Sequence, residues 1–282
     1  MGQMIERMVS PEVLNTAWRA VHNDRSRWTS DLTMEDMARD LPLHVGRIVD
    51  ELVTGRYRPQ PVRCFDVPKA DGKKRRICAP MVRDKFIQRA ILTVLEPLGE
   101  AVFHSRSYGY RPLCTVDMAV AMAREFVRMG DRWLGDADIA ECFDTIAHEP
   151  VLEFLTGLCY DDELVLLVAR FLQSVPPPMQ GERGVGLSQG SVLSPFLCNL
   201  YLHDMDMDFE EAGIRFVRYA DDFIVFGHER SEAHYALDVA GSSLQRLGLR
   251  LHPEKTQLVE SSRAVRFLGK ALPTPTATLL WS

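Results

Sequence analysis

Apolar residues recur at helical spacing over much of the chain, and short apolar runs separate these stretches. Helical spacing predicts helices over residues 11–23, 33–54 with a break at Pro42, 84–98, 116–129, 148–158, 161–174, 192–209 and 231–248. Short apolar runs predict strands over residues 61–67, 75–79, 132–139, 214–219, 223–226, 256–260 and 265–268. This order of elements predicts an α+β fold with an antiparallel sheet at its core.

Two of the predicted strand pairs are joined by short turns that carry charge. The first turn contains Asp71-Gly72, which is a good hairpin signal, and basic residues crowd around it. The second turn contains Asp221 and Asp222 between two apolar runs. Both pairs therefore read as β-hairpins with charged tips.

The composition is that of an ordinary globular protein, with 46% hydrophobic and 26% charged residues among 282. This excludes disorder, collagen and coiled coil as descriptions of the whole chain. No apolar run approaches the length of a membrane span, and no signal-peptide core follows Met1. We expect a soluble, cytoplasmic protein without a membrane partner.

The cysteines show none of the close pairs that zinc sites use, and a chain of this length needs no disulfides. We therefore expect reduced, mostly buried side chains. The six are Cys64, Cys78, Cys114, Cys142, Cys159 and Cys198.

Charge is distributed unevenly. Thirteen basic and five acidic residues over 56–111 give that stretch a net charge of +8, which leaves −14 for the rest of a chain whose total is −6. A basic part joined to an acidic body is typical of a protein that grips phosphates with one part and holds cations with the other. Solvated surface charge alone would give the same numbers.

The carboxylates are the sharpest chemical signal. Asp221 and Asp222 are adjacent like charges at the tip of an apolar hairpin, and a divalent cation would relieve their repulsion. Asp138 ends an earlier predicted strand, and it could share two Mg²⁺ ions with Asp221 if the strands are neighbours. The alternative is that Asp221-Asp222 is a simple turn dipeptide, a common use of aspartate.

Together these motifs resemble those of reverse transcriptases, in the bacterial group II intron-like branch. The similar segments, in chain order, are Gly72-Lys73-Lys74-Arg75, Val82-Arg83-Asp84, Tyr108-Gly109-Tyr110-Arg111-Pro112, Asp138-Ile139-Ala140-Glu141-Cys142-Phe143-Asp144, Gly186-Leu187-Ser188-Gln189-Gly190, Tyr219-Ala220-Asp221-Asp222, Leu251-His252-Pro253-Glu254-Lys255 and Phe267-Leu268-Gly269. One motif alone is weak evidence, whereas the ordered set is specific.

The resemblance implies the fingers and palm of a right-hand polymerase, with an antiparallel palm sheet. It divides the chain into an N-terminal helical extension (1–55), a basic fingers region (56–131, with fingers and palm helices at 83–130), a palm (132–270) and a tail (271–282). After Gly269 the thirteen remaining residues leave no room for a three-helix thumb. A fragment of a larger protein, a thumb supplied by a partner, and a short standalone enzyme are the three explanations.

The resemblance also implies an RNA-directed DNA polymerase that uses two Mg²⁺ ions. Asp138, Asp221 and Asp222 are then the metal ligands, with the carbonyl of Ile139 as a further contact. Lys255 would protonate the leaving pyrophosphate.

Other motif residues would contact the nucleotide and the nucleic acid. Phe143 would act as a steric gate against the ribose 2′-hydroxyl, and without the motif it reads as a core residue. Residues expected at the incoming dNTP are Lys73, Arg75, Phe143, Gln189 and Gly190. Residues expected at the nucleic acid are Arg83, Arg111, Phe267, Leu268 and Gly269. Ser188 replaces the proline usual before Gln189, which should loosen one loop dihedral.

The expected partners are an RNA template, a DNA or RNA primer and dNTPs. The resemblance favours a CRISPR adaptation setting, with an integrase as a partner that receives cDNA, over a mobile intron; other antiviral defence systems and retrons follow. The alternative function is a catalytically weak, nucleic-acid-binding subunit that needs a partner. An RNA-dependent RNA polymerase or a nucleotide cyclase is a third class, which the bulky Phe143 opposes.

Overall fold

A computed structural model describes residues 2–68, 74–176, 184–261 and 265–273. Within these ranges the helices are α1 (Gln3–Met8), α2 (Pro11–Val21), α3 (Met34–Arg39), α4 (Leu41–Val53), α5 (Val82–Val102), α6 (Val116–Arg128), α7 (Cys142–Thr145), α8 (His148–Cys159), α9 (Asp162–Gln173), α10 (Ser194–Glu211) and α11 (Arg230–Arg246). The strands are β1 (Arg63–Pro68), β2 (Lys74–Ala79), β3 (Trp133–Asp138), β4 (Arg215–Tyr219), β5 (Asp222–Gly227), β6 (Gln257–Glu260), β7 (Arg266–Phe267) and β8 (Lys270–Ala271).

Helix starts follow the local chemistry of the sequence. The side chains of Ser10, Thr115 and Asp161 accept hydrogen bonds from backbone N–H groups in the first turns of α2, α6 and α9. These bonds satisfy donors that the helix itself leaves unpaired. Pro42 lies in the first turn of α4, where its fixed φ is favourable, so the predicted break divides α3 from α4.

Some elements differ from the predictions. Helix α5 is longer than predicted and continues past Pro97. Helices α1 and α7 and strand β8 carry too few residues for periodicity to reveal them. The predicted turn over 69–72 lies outside the described residues.

The chain forms two compact units, each built from two separate segments. Unit 1 comprises 1–102 and 143–200, and unit 2 comprises 103–142 and 201–282. The four predicted regions, with boundaries at 56, 132 and 271, stay predictions.

Unit 2 is built on a four-stranded sheet in the order β4-β5-β3-β6, in which every neighbouring pair is antiparallel. Side chains from one face, among them Leu134 and Ile224, pack with Val120 and Phe126 of α6. On the other face Phe216 and Phe223 stack on Phe209 of α10. The predicted α+β fold with an antiparallel sheet is confirmed.

Unit 1 carries the antiparallel β1–β2 hairpin and the packed pair α2 and α5. The hairpin register places Cys64 opposite Cys78, with their Cα atoms 4.0 Å apart, and the two form a disulfide. The expectation that all cysteines are reduced is therefore wrong for this pair. The two cysteines are separated by thirteen residues in the sequence, and only the register of β1 and β2 brings them together.

No helix in the described part of the chain is long and apolar enough to cross a membrane. A cytoplasmic location stays a prediction.

Candidate active site

Two of the three predicted carboxylates face each other across the centre of the sheet in unit 2. Strand β3 ends at Asp138, β5 begins at Asp222, and the two residues are register partners. Asp221 occupies the two-residue loop that joins β4 to β5. The backbone N–H of Ile139 donates to the carbonyl of Asp221 at 3.3 Å, which ties this loop to the end of β3.

The clustered charges strongly perturb one carboxyl group. Removal from water, together with the negative charges of Asp221 and Asp138, raises the pKa of Asp222 to about 7. Asp138 and Asp222 also share a hydrogen bond. A strongly raised carboxyl pKa marks a place where a cation would be strongly favoured.

Lys255 supplies part of that positive charge. Its Nζ lies 2.8 Å from Oδ2 of Asp138, and this hydrogen bond and the neighbouring carboxylates raise the pKa of Lys255. The preceding segment fixes its position, because the N–H of His252 donates to the carbonyl of Asp138 at 2.8 Å. Similarly, the N–H of Ala140 donates to the carbonyl of Arg250 at 2.9 Å. The predicted lysine motif is thus held beside the carboxylates.

The donor set fits a hard divalent cation. Three carboxylates at one sheet end supply the oxygen ligands that Mg²⁺ prefers, and the raised pKa of Asp222 shows that one lysine does not offset their charge. Within the described ranges, however, no three His, Cys, Asp or Glu side chains already converge as a metal site. A bound cation would compete with the ammonium of Lys255 for Asp138, and the metal ligands stay a prediction.

Sequence reasoning did not assign Asp136, which lies two residues before Asp138 on the same face of β3. Partial burial, followed by the charge of Asp138, raises the pKa of Asp136, although Nε2 of Gln257 donates to Asp136 at 3.2 Å and opposes the shift. The alternation of side chains along a strand was the available signal.

The catalytic loop is backed by another of the predicted motifs. Ala220 has a φ of +60°, and Gly109 lies so close that an added Cβ would sit 2.2 Å from the nitrogen of Ala220. Only glycine permits that approach. The motif of residues 108–112 therefore supports the loop from within unit 2.

Arg111 and Arg83 have partners inside their own units. Arg111 donates to the carbonyls of His104 and Ser107 in unit 2, at 2.8 and 2.6 Å. In unit 1, Arg83 pairs with Glu51 and stacks over the ring of Tyr57 at 4.4 Å. The nucleic-acid contacts predicted for these two arginines stay predictions, and a structural role now stands beside them.

The Phe267-Leu268-Gly269 motif forms the tight turn of the β7–β8 hairpin in unit 2. Leu268 and Gly269 both have positive φ, at 50° and 76°, as a two-residue hairpin loop requires. Phe267 is 2% exposed and belongs to the core against α6. Its side chain anchors the turn, so a contact with nucleic acid at this motif would come from Leu268 and Gly269, which are less buried.

In unit 1 the Gln189 loop lies against β2. The N–H of Cys78 donates to the carbonyl of Gln189 at 3.1 Å, and the hydroxyl of Ser188 donates to the carbonyl of Cys78 at 2.8 Å. Gly190 has a φ of +133°, and an added Cβ would lie 2.8 Å from the carbonyl oxygen of Cys78. The hydroxyl of Ser188 thus anchors the loop by a hydrogen bond that a proline could not make, and the loosened dihedral expected at this position stays a prediction.

The remaining nucleotide candidates are also in unit 1. Phe143 lies in α7, partly exposed, and its carbonyl accepts a hydrogen bond from the N–H of Leu187 at 2.6 Å. Lys73 lies outside the described residues. Arg75 is described by its backbone, which pairs with Val67 of β1.

Comparison with known proteins gives a consistent result. The family described as "Reverse transcriptase (RNA-dependent DNA polymerase)" matches residues 67–272. Protein YkfC of Escherichia coli (strain K12) is 28% identical over 264 residues, covering 79% of this chain and 69% of YkfC. Group II intron-encoded protein LtrA of Lactococcus lactis subsp. cremoris is 29% identical over 245 residues, covering 85% of this chain and 40% of LtrA.

Among solved structures, apo telomerase from Candida tropicalis, truncated from its C-terminal domain, matches with a TM-score of 0.58 at 16% identity. The match covers 73% of this chain and 51% of that one. At this identity the likeness shows a shared fold and nothing finer.

Proposed function

This chain belongs to the reverse transcriptase family, and we propose that it is an RNA-directed DNA polymerase that adds dNTPs to the 3′-hydroxyl of a primer. One observation supports this above all. Asp138 and Asp222 are register partners on the two central strands, and Asp221 lies in the adjoining loop.

Two Mg²⁺ ions are the cofactor that we propose for Asp138, Asp221 and Asp222, with the carbonyl of Ile139 as a further ligand. When bound, such ions activate the attacking hydroxyl and neutralise the leaving pyrophosphate. The protein contributes the rigid sheet end that holds these oxygens in place, which is where most of the catalytic advantage of such sites arises.

Lys255 has two roles in this proposal. In the structure it neutralises Asp138 from 2.8 Å, which keeps the carboxylate cluster stable in the absence of substrate. With substrate bound, its ammonium turns to the pyrophosphate and donates a proton to it. Its side chain is 58% exposed, so a change of partner requires little repacking.

The residues that we assign to the nucleotide come from the family motifs. Gln189 and Gly190 present a backbone held firmly against β2, which suits close packing beneath a base pair. Phe143 is assigned as the gate against ribonucleotides, and Lys73 and Arg75 as the triphosphate contacts, from the family motifs. Replacing Phe143 by Ala should raise incorporation of rNTPs relative to dNTPs, and an unchanged ratio would remove the gate assignment.

Primer extension tests the function. The protein should extend a DNA primer on an RNA template with Mg²⁺ and dNTPs, and Asp221→Asn should abolish extension. Asp238→Asn is a matched control, because that exposed carboxylate lies on α11 and takes no part in the cluster. Extension that persists in Asp221→Asn would remove the metal assignment. RNA binding without turnover, even with partners supplied, would favour the non-catalytic subunit.

The biological setting stays a prediction. The chain spans 69% of YkfC and 40% of LtrA. The setting that we propose is delivery of cDNA to a CRISPR integrase or to another defence system, and the identity of the neighbouring genes tests it.

A further inference from the structure

Strand β4 carries a charged side chain in an apolar position. Arg218 is 0% exposed and follows Phe216 and Val217, which are also 0% exposed. Burying a guanidinium is costly unless it is paired and hydrogen-bonded. Arg218 therefore needs a buried negative charge and hydrogen-bond acceptors close to its guanidinium.

The main partner is a carboxylate that is equally buried. Asp206 of α10 is 0% exposed, and it accepts hydrogen bonds from Nε of Arg218 at 2.7 Å and from Nη2. This two-point contact fixes the plane of the guanidinium as well as its charge. The fixed plane in turn determines where the remaining nitrogen points.

That nitrogen reaches the catalytic loop. Nη1 of Arg218 donates to the carbonyl of Ala220 at 3.0 Å. The carbonyl of Ala220 shares a rigid peptide plane with the nitrogen of Asp221. The guanidinium therefore orients the peptide that leads directly into Asp221 and Asp222.

The loop needs such support because its backbone is strained. Ala220 has a φ of +60°, a region that favours glycine over residues with a Cβ. Strained backbone conformations at functional sites persist where several surrounding contacts hold them in place.

Residues 106–109 also hold the loop in place. Arg218 donates its N–H to the carbonyl of Arg106, and Tyr108 donates to the carbonyl of Arg218, both at 2.9 Å. Gly109 then packs closely against the nitrogen of Ala220, because a Cβ added at Gly109 would lie only 2.2 Å from that atom. The loop is thus held both by this backbone segment and by the guanidinium of Arg218.

We propose that Arg218, oriented by Asp206, is a positioning residue that holds the Ala220 peptide and so sets the direction of Asp221 and Asp222. The inference rests on the proposed polymerase function. Arg218 touches neither nucleotide nor primer in this role. It acts on the rate through the geometry of the carboxylates.

A second ion pair on the same strand provides a matched control. Arg215, three residues before Arg218, pairs with Asp131 at 2.5 Å, and the Asp131 side chain is 0% exposed. Asp131→Asn and Asp206→Asn therefore remove the same charge from two buried carboxylates, although Arg215 is 32% exposed whereas Arg218 is fully buried. Only the Asp206 pair reaches the catalytic loop.

The experiment compares wild type, Asp206→Asn, Arg218→Lys and Asp131→Asn by thermal unfolding and steady-state primer extension. Since a misplacement of about 1 Å can cost about 100-fold in rate, we expect Asp206→Asn and Arg218→Lys to lower kcat by about 10- to 100-fold. KM for the primer–template should change little. Asp131→Asn should also lower Tm, because it leaves Arg215 without its buried partner, and it should keep kcat near the wild-type value, because the contact of Arg218 with Ala220 stays intact. Equal losses of kcat in Asp206→Asn and Asp131→Asn would overturn the inference.

A double variant separates positioning from folding. Arg218→Met with Asp206→Leu leaves no unpaired buried charge, so it should unfold at a higher temperature than Asp206→Asn. It still lacks the donor to Ala220 and should keep the low kcat. Recovery of kcat together with Tm would show that the pair serves stability alone.

Amide exchange gives a readout that does not depend on activity. The N–H of Ile139 donates to the carbonyl of Asp221, so its protection reports whether the loop is in place. Protection should fall in Asp206→Asn and hold in Asp131→Asn, and an equal response in both would refute the positioning role. If wild type extends no primer, the proposed function fails, while this comparison still decides the inference.

Discussion

Replacing Asp222 by Asn should stabilise the metal-free protein, and the gain should be larger at pH 8 than at pH 5. Burial and the neighbouring charges of Asp221 and Asp138 raise the pKa of Asp222 from 3.8 to about 7. At pH 8 the folded protein must hold this carboxyl in its charged, unfavourable form. An amide of the same shape carries no such charge.

The size of the effect follows from the pKa difference. A difference of about 3 in pKa corresponds to about 4 kcal/mol without screening. Asp222 is only partly removed from water at the sheet end, so solvent screening reduces the expected gain to about 1 kcal/mol. For a protein of this size that amounts to a rise in Tm of roughly 2–4 °C.

The direction with pH follows from linkage. Below pH 3.8 the carboxyl is protonated in both the folded and the unfolded states, and the stability due to its raised pKa is fully present. That stability is lost as the pH rises through about 7, the folded-state value. The advantage of Asn should therefore grow from pH 5 to just above pH 7 and then level off, so it is larger at pH 8 than at pH 5.

The assay is thermal unfolding of wild type, Asp222→Asn and the surface control Asp238→Asn in a chelator at pH 5 and pH 8. Mg²⁺ in excess should then raise the Tm of wild type at pH 8 more than that of Asp222→Asn, because a ligand of the folded state stabilises it. A lower Tm for Asp222→Asn at pH 8, or an equal difference at both pH values, would refute this account of the cluster.

Three further substitutions test the surroundings of the site. Gly109→Ala should destabilise the protein by about 1–3 kcal/mol and lower primer extension, because its Cβ would meet the nitrogen of Ala220; an unchanged Tm would contradict the packing. Gly190→Ala should weaken nucleotide binding, seen as a raised KM for dNTP, because both its φ of +133° and the nearby β2 backbone oppose a side chain; a wild-type KM would count against its role. Lys255→Met should lower kcat about 100-fold, and in the metal-free protein it should raise the pKa of Asp222 further, because the charge of Lys255 opposes that rise, as followed by carboxyl NMR; full activity would exclude the proton-donor role.

The carboxylate cluster was accessible from the sequence because its causes are local. Asp221 and Asp222 sit at a hairpin tip flanked by apolar strands, and Asp138 ends another apolar strand, so only the adjacency of two strands was missing. The resemblance of the ordered motifs to a known family supplied that adjacency. The same reasoning located most helices, since apolar spacing records which face is buried.

Contacts between distant elements were not accessible. Asp206 and Arg218 belong to a helix and a strand, and nothing in their spacing indicates that they meet. The signal was an arginine within an apolar strand, which requires a buried partner without naming it. Cys64 and Cys78 likewise became a pair only once the hairpin register was known. The two units, each assembled from separate segments, also depend on packing that local patterns do not encode.

The most direct test of the central claim is anomalous scattering from crystals of the protein soaked in Mn²⁺, a substitute for Mg²⁺ that can be located. The account predicts a peak within coordination distance of carboxylate oxygens of Asp138 and Asp221, with the ammonium of Lys255 moved away from Asp138. A structure at saturating Mn²⁺ in which Lys255 still holds Asp138 and no peak lies beside these carboxylates would contradict it.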